Sequence, residues 1–139
     1  MSMHTQRIIL NQIRTPDGTI LTSYHTHHNV TYVDANGERY VIDGGLDYLR
    51  RSSNKTPYKE LSQYDNQPFS EIRKYLHVCE YNNGCHEPSQ CIPIKDLEKS
   101  YIESILEEAL PEVLQDYLPE ELIYRKKWLQ KLRRFAGSK

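Results

Sequence analysis

Apolar and polar positions fall into three regimes along the chain. Up to about residue 43, short β-branched runs alternate with turn residues. Arg7 to Arg14 carries Ile8, Ile9, Leu10 and Ile13 and predicts a strand. Thr15-Pro16-Asp17-Gly18 predicts a turn, because Pro16 sets φ and Gly18 supplies a positive one. Thr19 to Tyr24 would then return antiparallel. Val30 to Asp34 and Glu38 to Ile42 flank Ala35-Asn36-Gly37, and Asn-Gly between β-branched runs is a strong hairpin signal. Two hairpins in one antiparallel sheet are expected.

The second regime opens at Val41 to Arg51. A β-branched run meets Gly44-Gly45, where the absent Cβ permits a sharp turn or a close backbone approach. Leu46 and Leu49 lie three apart beyond it, predicting a strand-to-helix corner with Asp47, Arg50 and Arg51 on the outer side. Residues 52–68 are polar, broken by Pro57 and Pro68, and predict a long connection with at most a turn near Lys59 to Tyr64. Ser70 to His77 reads as a short helix with Ser70 at its N-cap. Val78 to Lys95 reads as a loose hairpin about Asn82-Asn83-Gly84, with a strand from Cys91 to Ile94.

The last regime has helical periodicity. Ile102, Ile105, Leu106, Ala109 and Leu110 follow the i, i+3, i+4, i+7, i+8 pattern. Pro111 and Pro119 each suit a first helical turn, so helices are expected at about 98–109, 111–117 and 119–135. The predicted fold class is α+β, an N-terminal antiparallel sheet of about four strands followed by a helical C-terminal half. Length favours a single domain over 1–139, divided as 1–51, 52–95 and 96–139.

Charge changes this picture locally. The 18 basic and 19 acidic residues nearly cancel, which gives no general pull towards nucleic acid or membrane. Along the helical part, nine acidic residues lie between Asp96 and Glu121, and seven basic residues with no acid follow from Arg125 to Lys139. Eleven tyrosines against two phenylalanines and one tryptophan suit half-buried rims and binding surfaces. Three cysteines, an odd number, argue against a disulfide framework and for a reducing cytoplasm. No stretch has the length of a signal peptide's apolar region or a membrane span.

Two clusters carry candidate chemistry. In Tyr24-His25-Thr26-His27-His28, a strand would place His25 and His27 on one face. With Asp43 or Asp47 they would begin a metal site. Beside Arg50 and Arg51 they would contact an anionic ligand or partner. The bland alternative is that they hydrogen-bond the glycine corner. His77, Cys79, Cys85, His86 and Cys91 form the second cluster, open either to zinc or to ordinary free thiols, without any Cys-x-x-Cys pair. Arg50, Arg51, Lys55, Lys59, Arg73 and Lys74 stand among tyrosines, a composition that serves phosphate binding, base stacking or protein contact. There is no Gly-x-x-x-x-Gly-Lys loop, Gly-x-Ser-x-Gly elbow or His-Glu-x-x-His.

The order His-x-His at His25 and His27, a hairpin at Asp34 to Gly37, the Val41 to Arg51 core, then Glu60, Leu61, Ser62 and Tyr64 resembles a family of small tailed-phage proteins. Ile94-Lys95-Asp96-Leu97 and Tyr124-Arg125-Lys126 extend the resemblance, which covers roughly Arg7 to Lys127. Zinc-ribbon-like bacterial relatives carry Cys-x-x-Cys in the first turn. This chain has Thr15-Pro16-Asp17-Gly18 there, so that metal is not expected. The resemblance implies an origin and no particular chemistry. The expected function is a non-enzymatic phage accessory protein, cytoplasmic in the host cell. It would bind and block a host factor, a protein component or nucleotide second messenger of antiviral defence. Its contacts would come from His25, His27, Asp43, Asp47, Tyr48, Arg50 and Arg51, with no cofactor. The competing classes are a metal-dependent hydrolase using His25, His27 and Asp43, and a nucleic-acid-binding protein using the basic last helix. A homodimer through the C-terminal helices is open.

Overall fold

The computed structural model describes residues 6–25, 28–46, 49–53, 57–81 and 88–137. It is α+β, as the periodicities predict. β1 (Ile8–Arg14) and β2 (Ile20–Ser23) form the first hairpin, and β3 (Asn29–Val33) and β4 (Arg39–Asp43) the second. The expectation of one sheet is corrected, because the hairpins belong to two. β1 pairs β2 on one side and the short strands β6 (Lys59–Glu60) and β7 (Gln63–Tyr64) on the other. β4 lies between β3 and β5 (Arg50–Ser53). The polar connection at 52–68 therefore supplies strand residues, whose backbone pairing needs no apolar pattern.

β5 also corrects the predicted helix after the glycines. Arg50 pairs with Asp43 and Arg51 with Ile42, antiparallel. A helix of one turn is poorly nucleated, whereas the edge of β4 offers a row of backbone donors and acceptors. Leu46 is still buried, in the larger core.

α1 (Phe69–Tyr75) matches the predicted short helix, but Pro68, not Ser70, occupies the N-cap. The Pro68 carbonyl accepts from Glu71 and Ile72. β8 (His77–Tyr81) and β9 (Pro88–Pro93) form the expected hairpin, whose Asn82-Asn83-Gly84 turn lies outside the described residues. α2 (Lys99–Ile105) stops before the predicted 109. Leu106 is its C-cap, and a turn over residues 106–108 follows before Pro111.

The two helices expected at 111–117 and 119–135 are one, α3 (Glu112–Gly137), with Pro119 inside it. Pro119 removes the donor that would reach the Gln115 carbonyl. Both residues are exposed, so water can serve that carbonyl, while Leu114 and Leu118 keep one buried face running through the site.

The larger core joins Ile9 of β1 and Leu46 to α1, β8, α2 and α3, through residues such as Ile72, Val78, Ile102 and Leu118. A smaller one, Ile13, Leu21, Tyr40 and Ile42, lies between the two N-terminal sheets. α3 is pinned by charge as well. Glu121 is fully buried and takes Arg73 Nε and Nη2 at 2.8 Å each and Arg125 Nε at 2.6 Å. Arg73 also lies over the Tyr124 ring, and Arg125 Nη2 donates to the Ile94 carbonyl. At the helix's other end, Asp65 accepts from the Arg7 backbone and side chain and from Tyr117.

The glycine corner as candidate functional site

The corner is built by close backbone approach. An ideal Cβ on Gly45 would stand 2.0 Å from the Ser23 carbonyl oxygen, so only glycine fits. Gly45 N–H donates to the His25 carbonyl at 3.0 Å. His25 therefore lies in a bend after β2 rather than on a strand, and its backbone holds the corner. The expected shared strand face for His25 and His27 has no basis at His25, because β2 ends at Ser23. His27, Asp47 and Tyr48 lie outside the described residues.

Asn11, buried in β1, braces the same turn. Its amide donates to the Gly44 carbonyl at 3.0 Å, and its oxygen accepts from Arg51 Nε at 3.2 Å. Arg51 Nη2 donates to Glu60 Oε1 at 2.8 Å and Ser62 Oγ at 2.9 Å. Tyr64 donates to the same Glu60 oxygen at 2.7 Å. Burial opposes the Arg51 charge, but the Glu60 contact outweighs it and raises the guanidinium pKa. Arg51 and Tyr64 in turn hold Glu60 below its ordinary value. Tyr64 is pushed up by burial and by Glu60. The Arg51 fork is thus engaged inside the protein. The residues that engage it, Glu60, Ser62 and Tyr64, were visible only as matched positions of the resemblance. Asn11 had no signal at all, being one polar residue in a strand.

Two clefts open on either side of Leu49. Asn29, Val41, Asp43, Arg51 and Ser52 line one of about 580 Å³. Gln6, Arg7, Ile8, Tyr64, Glu112 and Val113 line another of about 550 Å³. Asp43 and Arg51 are therefore brought together. Arg50 pairs with Asp43 through its backbone, and its side chain lies outside the described residues.

The second cluster is resolved differently from either expectation. Cys79 and Cys91 are cross-strand partners joined by a disulfide, which corrects the free-thiol and zinc readings for these two residues, and with them the argument from an odd cysteine count against a disulfide and for a reducing cytoplasm. The spacing gave no hint because pairing depends on hairpin register. Cys85 and His86 lie outside the described residues. His77 Nδ1 donates to the Tyr75 carbonyl at 2.6 Å, and its ring centroid lies 4.6 Å from that of Tyr24, which also stacks with His28. Among the described residues, no three His, Cys, Asp or Glu side chains converge as a metal site requires. No described helix is long and apolar enough to cross a membrane.

Burial lowers the His77 pKa below its ordinary 6.5. The unfolded chain then binds this proton more readily than the native one. Stability from this group is unaffected above about pH 6.5 and is lost as pH falls through the lowered native value. Urea midpoints between pH 8 and 5 are expected to decline on the acid side, and less steeply in His77→Gln. Equal slopes would remove His77 as a cause.

No family model, curated protein or solved structure matches the chain.

Proposed function

We propose that the chain is a non-enzymatic binding protein of phage origin that docks on a host protein through the glycine corner and blocks it. Components of antiviral defence in the host cytoplasm are the natural targets. The observation that carries this is the pair of clefts meeting at Leu49, with arginine and tyrosine on their walls. Such residues on a rigid frame are what protein–protein hot spots use. The engaged state of Arg51 favours a protein over a nucleotide, since a phosphate would have to displace Glu60 to gain that fork.

The test combines capture from host lysate with native mass spectrometry of the purified protein. A single stoichiometric host protein held by the parent and lost in Leu49→Asp, with the circular dichroism spectrum unchanged, is the expected result. A retained nucleotide mass, or capture indifferent to Leu49→Asp, would overturn it.

A further inference from the structure

α3 continues past the core, and residues 126–136 are exposed throughout. One of its faces still has a neighbour. Leu122, Lys126, Leu129 and Arg133 follow one another at intervals of four, three and four, so they stand in one row along the helix. With Arg125 and Gln130 beside it, that row forms one side of a groove of about 480 Å³. Lys99 and Glu103 of α2 stand on the other side. The row thus alternates leucine with cation. Leu122 is half-buried against the larger core, while Leu129 is 55% exposed.

The charges in the groove are unbalanced. Arg125 is engaged inside the protein, by Glu121 and by the carbonyls of Ile94 and Lys95. Lys99, Lys126 and Arg133 form no ion pair among the described residues. Three cations therefore line the groove against the single carboxylate of Glu103.

We propose that this groove receives an acidic amphipathic helix of a partner protein. Two helices side by side leave a furrow into which the ridge of a third packs. Leu122 and Leu129 lie two turns apart, about 10 Å, and so do Lys126 and Arg133. A helix that repeats one apolar and one acidic residue every heptad meets both sets at once. Its apolar side chains cover the leucines, and its carboxylates reach the cations beside that contact. Nucleic acid fits less well, because no aromatic ring lines the groove to stack a base and Glu103 repels a phosphate backbone. A flat anionic lipid surface does not reach the half-buried Leu122. A second copy's arm would bring only further cations, since every charged residue after Glu121 is basic.

The probe is a labelled synthetic helix of about three heptads, with leucine and glutamate placed alternately at those spacings. Fluorescence anisotropy with the full-length protein compares it with an isomer of the same composition in scrambled order. The patterned peptide is expected to bind at least about ten-fold more tightly than the scrambled one. Leu129→Asp should weaken its binding at least about ten-fold, and so should Lys126→Glu combined with Arg133→Glu. The helical circular dichroism signal should not change, because all three side chains are exposed. The doubly reversed variant should in turn prefer a peptide carrying lysine in place of glutamate, which a lost fold would not produce. Equal binding of the two isomers, indifference to these substitutions, or no reversal of preference would overturn the proposal. Tighter binding of a single-stranded oligonucleotide, or of phosphatidylglycerol vesicles, than of the peptide would do the same. So would a dimer of the chain itself that Leu129→Asp dissolves. Leu49→Asp, in the clefts of the glycine corner, should leave peptide binding unchanged, so the two surfaces stand or fall separately.

Discussion

Gly45→Ala is expected to leave the chain unfolded, or barely folded, where the parent is native. The new methyl carbon would meet a backbone carbonyl, Ser23 O, at 2.0 Å, with the Tyr24 carbonyl carbon at 2.9 Å. Backbone atoms paired in a hairpin cannot rotate away as a side chain would. Relief requires moving β2 or the corner, which breaks the Gly45–His25 hydrogen bond and the Asn11 brace on Gly44. A loss on the order of 4 kcal/mol is expected, at the extreme of single substitutions. That is a large part of the ~5–15 kcal/mol by which small proteins are stable. Gly18→Ala is the matched control. Its φ is +91° but nothing lies within 4 Å of the added carbon, so only the left-handed backbone term of ~1–2 kcal/mol applies. Urea unfolding of the two variants should separate them clearly. Equal, small losses would mean that the corner is not packed in this way.

Removing Glu121 is the second large effect. Its carboxylate is fully buried and holds two guanidiniums, so Glu121→Ala leaves Arg73 and Arg125 facing each other without their anion. Breaking such a set costs about 3–5 kcal/mol. Glu121→Gln should recover part of this by keeping hydrogen bonds to one arginine. Replacing all three residues with apolar ones, Arg73→Met, Glu121→Leu and Arg125→Met, should cost far less than Glu121→Ala alone, because no buried charge is left uncompensated. Thermal denaturation of the three variants measures this. A triple variant as damaged as Glu121→Ala would show that the arginines act by packing, over Tyr124 and at the Ile94 carbonyl, more than through the ion pairs.

The corner and the triad differ in how far the chain announces them. Gly44-Gly45 stands out as a place where a backbone must come close, and one does. Which backbone, that of Ser23 and Tyr24, is not legible, since the approach joins residues about twenty positions apart. Glu121 reads as an ordinary acid near a helix start, because the sequence around it continues the charge pattern of its neighbours. It becomes a buried anchor only when Arg73, from another helix, is brought against it. Arg51 shows the same limit. Its charge invites an external phosphate, and the partners that engage it lie nine to forty residues away in β1 and the strands after it. Asp43 and Arg51 share a cleft only because Arg50–Ser53 pairs back on β4, where the sequence predicts a helix.

By itself the sequence determined the α+β class, the two N-terminal hairpins, the short helix and the helical end. Turn chemistry and side-chain period act within a few residues and need no knowledge of the rest. Only the tertiary structure decided that the hairpins join separate sheets, that Arg50–Ser53 is a strand, that Pro119 lies within one long helix, and that Cys79 bonds Cys91. Each of these depends on what a distant segment offers: an open strand edge, a continuous buried face, or the register that sets two sulfurs side by side.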